Sequence, residues 1–278
     1  MELIKLNLGR NCLKYIIKAY NIKEIHVPYY CCNTVWKAIV QENCRMKFYH
    51  IDDNFMPIKE FRKKDFILYI NYFGLNDQNC QKLAYKYPNL IIDNTQSFYS
   101  EHIGLASFNS LRKFFKVSNG AYLYVDKFLN DKFESDNIQT EPIFIQDNYQ
   151  KFVQNEVLLN ENNNIKMISQ NTIDIMKNID TETDKKQRVN LFKKYDKIFG
   201  GYNIIRLPNL EDQIPYCYPF STNNTEIKKI LEKFILLHLW NELPKDFSEY
   251  KMLNNVAALP LNDTIYAEKI ISQFARYR

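Results

Sequence analysis

The sequence predicts an α/β protein in three layers: a mainly parallel sheet with helices on its faces, followed by a smaller α+β domain. Two observations predict it. Through the first 125 residues, short β-rich runs alternate with segments of helical periodicity; after Val125 the composition shifts and that rhythm stops. The β-rich runs fall at 24–30, 46–51, 66–72, 90–93, 105–108 and 121–125. Helical patterns fill gaps at 11–20, 34–42 and 78–87. In the first of these, Leu13, Ile16, Ile17 and Tyr20 share one face at helical spacing. Strand and helix alternating in this way imply βαβ units. Residues 126–187 are rich in Asn, Asp, Lys and Gln, with a helical stretch at 171–179. Beyond them, helix patterns at 189–198, 226–239 and 266–275 mix with short strands at 203–207 and 213–219. The expected units are therefore a large domain over 1–185 and a small one over 186–278.

Composition narrows the function classes. A hydrophobic fraction of 46% and an aromatic fraction of 15% suffice for a buried core. Most aromatics lie inside apolar runs such as Phe66-Ile-Leu-Tyr-Ile70, so they read as core and not as base-stacking platforms. The net charge of +5 is spread along the chain and no nucleic-acid motif stands out. The six cysteines (Cys12, Cys31, Cys32, Cys44, Cys80, Cys217) form no CxxC pair, and the four histidines no ligand spacing. No metal site is expected. Reduced thiols suit a cytoplasmic protein. The chain opens without a signal-peptide pattern, and the apolar run Phe234–Trp240 is too short to span a bilayer. No membrane association is expected.

The chemistry concentrates between Leu90 and Tyr124. The strand Leu90-Ile-Ile92 ends on Asp93, followed by Asn94, Thr95 and Gln96. The next strand, Ala106-Ser-Phe-Asn109, leads into Ser110-Leu-Arg-Lys113, and Gly120 follows in a turn. Polar groups thus collect at carboxyl ends of strands, where parallel sheets bind ligands. Taken singly, Asp93 reads as a cap or turn residue and Lys113 as a solvated side chain. Their order carries more than either alone.

That order resembles the DegT/DnrJ/EryC1/StrS sugar aminotransferases, a branch of the fold-type I pyridoxal-phosphate enzymes. The family's D-x-x-Q turn is matched by Asp93-Asn-Thr-Gln96, and its cofactor lysine with a following glycine turn by Lys113 to Gly120. Leu8-Gly-Arg-Asn-Cys-Leu13 is similar to the family's opening glycine turn. Val27-Pro-Tyr-Tyr-Cys-Cys-Asn-Thr34, Asn71-Tyr-Phe-Gly74 and Ala258-Leu-Pro-Leu261 match further segments in order along the chain.

The resemblance implies the aspartate-aminotransferase fold and pyridoxal 5'-phosphate as cofactor, held covalently by Lys113. It implies Asp93 at the cofactor's ring nitrogen, Gln96 at its phenolic oxygen, and Gly9, Arg10 and Asn11 at its phosphate, with a hydroxyl from Ser107 or Ser110. The substrate implied is a nucleotide-linked keto sugar, the amino donor glutamate, and the assembly a homodimer with shared active sites. Tyr29 and Tyr72 read as exposed aromatics that such a partner would cover. Two alternatives stay open: another keto substrate for the same cofactor, and a non-catalytic homologue serving as a binding partner. The chain departs from the family in places. Phe108 stands five residues before the lysine, where a phosphate-binding serine is usual, Cys32 where an aromatic ring stacks on the cofactor, and Asn119 where a glutamate precedes the glycine. Tyr29 or Tyr30 could stand in for the ring. The chain is shorter than ordinary members and lacks the segment that reaches into the partner's site. The stretches Asn155-Glu156 and Met167-Ile-Ser-Gln170 are the candidates to replace that segment.

Overall fold

A computed structural model describes residues 1–161, 163–210 and 212–275. Among the described residues, ten strands and nine α-helices are arranged about two sheets. The large sheet is formed by β1 (Glu2–Leu6), β2 (Glu24–Pro28), β3 (Arg45–Tyr49), β4 (Phe66–Ile70), β5 (Leu90–Asn94), β6 (Ala106–Asn109) and β7 (Ala121–Val125), in the spatial order β1-β7-β6-β5-β4-β2-β3. The pairs from β3 through β6 are parallel, whereas β7 runs antiparallel to both β6 and β1. The sheet is mainly parallel, as expected. Helices α1 (Gly9–Tyr20), α2 (Asn33–Gln41) and α3 (Asp77–Lys86) follow β1, β2 and β4. From β2 the chain crosses outward to β3, and from β4 it crosses the other way to β5. Right-handed crossovers in opposite senses put α2 and α3 on opposite faces, and they leave a crevice at the carboxyl ends of β2 and β4.

Next come α4 (Tyr149–Glu161), α5 (Gln170–Lys177) and α6 (Thr181–Phe199). A three-stranded antiparallel sheet then forms from β8 (Cys217–Phe220), β9 (Leu237–Leu239) and β10 (Val256–Pro260), in the order β8-β10-β9. Helices α7 (Thr225–Leu231), α8 (Tyr250–Leu253) and α9 (Thr264–Ala275) accompany it. Buried residues of both sheets belong to one continuous apolar core. Among the described residues no helix is long and apolar enough to cross a membrane.

Several expectations are corrected. The helix expected at 226–239 ends at Leu231, and Leu237–Leu239 is instead a strand paired with β10. A short apolar run does not distinguish the two, and here the sheet edge decides. The strand expected at 203–207 is absent; the Ile204 N–H donates across to the Ser221 carbonyl at 2.8 Å, and the Asn203 side chain donates to the Pro219 carbonyl and accepts from the Ser221 N–H. The strand expected from 213 begins at Cys217. α6 begins at Thr181, where the Asp180 side chain caps it, and runs through residue 185. β1 and α4 went unread because each exposes much of its length: β1 is an edge strand with its first residues in solvent.

Tyr72 is fully buried, its hydroxyl donating to the Tyr30 carbonyl at 2.9 Å, and Tyr29 stacks on Phe48 at 4.9 Å. Both are covered from within the chain. The segment at Met167–Ile168 extends the β1 edge, where the Ile168 N–H donates to the Lys5 carbonyl at 3.1 Å, and Ser169 caps α5.

Candidate active site

Two adjoining cavities open at the carboxyl ends of the large sheet. The inner one, about 160 Å³, is lined by Gly9 and Arg10 from α1, Cys32 and Thr34 at α2, Ile70 at the end of β4, Asp93 and Thr95 after β5, and Ser110 and Lys113 after β6. The outer one, about 360 Å³, adds Gln96, Phe144, Phe152, Tyr216 and part of β9 and β10. Cys32, Ser110, Arg112, Lys113, Glu156 and Trp240 border both. The crevice therefore sits where the strand order reverses, and the parallel strands deliver their polar ends into it.

Lys113 is half-buried, and its Nζ donates to Thr95 Oγ1 at 3.1 Å. The ammonium also lies 5.9 Å from the centre of the Tyr216 ring. Asp93 is 4% exposed and accepts from the Thr95 N–H at 2.8 Å. Burial raises its pKa above the ordinary carboxylate value, opposed by the nearby Lys113 cation. Gln96 is fully buried: its Oε1 accepts from the Phe73 N–H at 2.8 Å, while its Nε2 has no partner among the described residues. A buried donor left unsatisfied costs free energy unless a ligand completes it. Gly74 permits this close arrangement. At φ 71° it approaches the Gln96 carbonyl so closely that a Cβ would stand 2.7 Å from that oxygen.

The inner end of the cavity faces two helix N-termini. Neither Leu8 before α1 nor Cys32 before α2 caps its helix through a side chain. First-turn N–H groups and the helix dipoles suit an anion there. Gly9 keeps the space open, since a Cβ on it would lie 3.0 Å from Thr95 Cγ2. Arg10 Nη1 donates to Asn160 Oδ1 at 2.5 Å, and burial lowers its pKa. A buried unpaired amide, an open glycine cradle, two free helix N-termini and a lysine beside a carboxylate fit pyridoxal phosphate.

The structure brings Lys113, Asp93, Gln96, Gly9, Arg10, Cys32 and Ser110 together. It does not bring Asn11 or Ser107 into the cavities. The Asn11 side chain turns away from them, donating to Asn7 Oδ1 at 2.9 Å and to the Asn164 carbonyl at 2.7 Å. Strand alternation sends Ser107 to the other face of β6, beside His102 at 3.3 Å, so of the two serines Ser110 is the one at the cavity. Tyr30 is buried in the core and does not line either cavity. Asn119 is a structural hub, accepting from Ser169 Oγ and Thr172 Oγ1 at 3.0 Å each and donating to Asp136. Of the stretches offered as a replacement for the reaching segment, Glu156 enters the site, where its Oε1 accepts from Arg112 Nη2 at 2.6 Å. Met167 to Gln170 lines neither cavity.

Sequence reading missed Arg112, Tyr216 and Trp240. Arg112 adjoins the lysine and could have been found there; the other two come from beyond residue 200, with no local signal. Fully buried Arg188 on α6 ties these distant pieces together. It donates to Asp184 at 2.7 Å and to the carbonyls of Tyr216 and Phe114 at 3.0 Å each. The residue after Lys113 and a wall of the outer cavity thus share one cation.

No protein-family model and no curated protein matches the sequence. Solved structures do match. A DegT DnrJ EryC1 StrS aminotransferase from Brucella abortus is 13% identical with a TM-score of 0.62, the match covering 100% of this chain and 86% of that one. Sugar aminotransferase CalS13 from Micromonospora echinospora is 8% identical with a TM-score of 0.65 over 99% of this chain and 87% of its own. The ntda protein of Bacillus subtilis, solved with bound cofactor PMP, is 14% identical with a TM-score of 0.63 over 99% and 73%. Likeness at these identities speaks for architecture: the chain has the fold-type I architecture of the DegT/DnrJ/EryC1/StrS sugar aminotransferases.

Proposed function

We propose that the chain is a pyridoxal-phosphate-dependent aminotransferase that forms an amino sugar from a nucleotide-linked keto sugar, with glutamate as amino donor. The observation that carries this reading is the convergence of Lys113 and Asp93 on one cavity beneath two uncapped helix N-termini. Pyridoxal phosphate, when bound, supplies an electrophilic carbonyl and a ring that accepts electrons. Lys113 would hold it covalently and then carry a proton at Nζ, with Thr95 Oγ1 orienting the amine. Asp93 would pair with the ring nitrogen and keep it protonated. Gln96 Nε2 would donate to the phenolic oxygen, and the first turns of α1 and α2 with Ser110 would hold the phosphate.

The outer cavity receives substrate. Arg112, held by Glu156 at the border, offers a guanidinium to a carboxylate or phosphate that displaces the glutamate. Phe144, Phe152 and Tyr216 supply the apolar wall. A compact keto compound is the second reading, since about 360 Å³ holds one without its nucleotide, near the lower limit of ligand pockets. The six thiols form no disulfide and five of them are buried, which suits the cytoplasm.

Titration with pyridoxal phosphate is expected to give a visible absorbance band. Glutamate should bleach it with release of one 2-oxoglutarate per site, and a nucleotide-linked keto sugar should restore it. No band would overturn the cofactor assignment; a band indifferent to glutamate would overturn the donor.

We further propose a homodimer joined beside the site. On α4, Phe152 and Glu156 border the cavity, while Tyr149, Val153 and Val157 form a neighbouring exposed stripe, 53%, 41% and 52% accessible. A partner covering that stripe would also close the cavity mouth and exclude water. Light scattering of the cofactor-loaded protein should give twice the chain mass, falling to one when Val153 and Val157 are both changed to Glu. A monomeric mass for the unaltered chain would sink the shared-site arrangement.

A further inference from the structure

Trp240 is the aromatic residue common to both cavities. It follows β9, so it reaches the crevice from the three-stranded sheet and not from the large one. Its backbone lies at φ 45°, a conformation that a bulky L-residue adopts only at a cost in free energy. The surroundings hold it there. The Tyr30 ring packs edge-on against the indole, 4.8 Å between centres at 73°, and Tyr72 lies 6.1 Å away at 70°. Tyr30 Oη donates to the Leu239 carbonyl at 3.3 Å, and Tyr72 Oη donates to the Tyr30 carbonyl at 2.9 Å. Tyr30 thus pins the residue before the strained position, and Tyr72 in turn holds Tyr30. A strain so over-determined, located at a cavity border, points to a use there.

We propose that Trp240 forms the wall against which the planar ring of the cofactor packs, and that it thereby couples the small sheet to cofactor binding. The proposal rests on the pyridoxal-phosphate reading above. Cys32, the neighbour bordering both cavities from the end of β2, is too small to present a flat surface. Asp93, Thr95 and Lys113 approach the inner cavity from the large sheet, and Trp240 is the large apolar side chain that the small sheet contributes to it. A protonated, electron-poor ring is attracted to the electron-rich face of an indole beyond the gain from area buried. Docking the ring against Trp240 also fixes the β9 end, so loading the site should steady the small sheet.

The test uses the apoprotein and pyridoxal phosphate itself. With 5-fluorotryptophan incorporated, the fluorine resonance of Trp240 should move when the cofactor binds. That of Trp36, which packs on Phe48 outside both cavities, should stay in place. Trp36→Phe assigns the two signals. Trp240→Ala should raise the cofactor dissociation constant about tenfold and weaken the induced visible circular dichroism, with Trp240→Phe restoring most of both. An unshifted Trp240 resonance in protein that binds the cofactor would overturn this assignment and leave the cofactor reading intact. Absence of cofactor binding in the unaltered chain would overturn the reading beneath it. If Trp240→Ala fails to fold, the fluorine shift decides alone.

Discussion

Lys113→Ala is expected to abolish covalent cofactor attachment and to lower transamination by roughly four to six orders of magnitude, because no neighbouring amine can take its place. The nearest competitor in sequence, Lys116, is outside both cavities, where its Nζ pairs with Asp147 at 2.9 Å on the surface. Among the described residues the Lys113 side chain makes one hydrogen bond, to Thr95, so the variant should keep its fold and lose no more than about 1 kcal/mol of stability. Borohydride reduction of the loaded wild-type protein, followed by mass spectrometry, should place the cofactor mass on the peptide containing Lys113. Label on Lys116 would remove Lys113 from the role.

Asp93→Asn is expected to do two opposite things. Burial raises the Asp93 pKa above its ordinary value, and Lys113 offsets only part of that. A carboxyl whose folded-state pKa is raised binds its proton more tightly when folded. Its contribution therefore favours folding below the unfolded-state value and turns unfavourable as pH climbs through the raised one. At neutral pH, above the unfolded-state value, the apoprotein bears the cost of that raised pKa. Asparagine removes the ionisable group and can still accept from the Thr95 N–H. The apo variant should melt higher than wild type at neutral pH, with the difference vanishing in acid. Turnover should move the other way, falling about a hundredfold or more, because the ring nitrogen loses the anion that keeps it protonated. Calorimetry across pH and single-turnover kinetics read the two effects separately. Near-normal kcat would take Asp93 out of the mechanism.

Taken singly, Asp93 reads as a cap or turn residue, and its order with Gln96 and Lys113 carries the reading. An ionisable group at the buried end of an apolar strand, Leu90-Ile-Ile92, breaks the local pattern, and such breaks mark sites. Lys113 and Gln96 are singled out by the family resemblance that this order carries, and both line the cavities. Which of the two serines meets the cavity was not readable, because Ser107 and Ser110 differ in strand alternation and in the turn that follows β6. Pairing with β5 and β7 decides both. Asn11 reads as part of the glycine turn, yet helix geometry points its amide at Asn7, four residues back.

What the sequence determined by itself is the large sheet's alternation and the residues bunched at its carboxyl ends. Period-two and helical patterns are local, and the groups at strand ends sit within a few residues of the pattern that places them. What only the tertiary structure decided is everything that arrives from far along the chain: Glu156 against Arg112, Tyr216 beside Lys113, and Trp240 at the border of both cavities. The run at Phe234–Trp240 shows the reason most plainly. Its apolar residues satisfy a helix or a strand equally well, and pairing of Leu237–Leu239 with β10 selects the strand that carries Trp240 to the site. Pairing energy across many intervening residues leaves no mark in the local sequence, so that wall of the cavity could be found only in the folded chain.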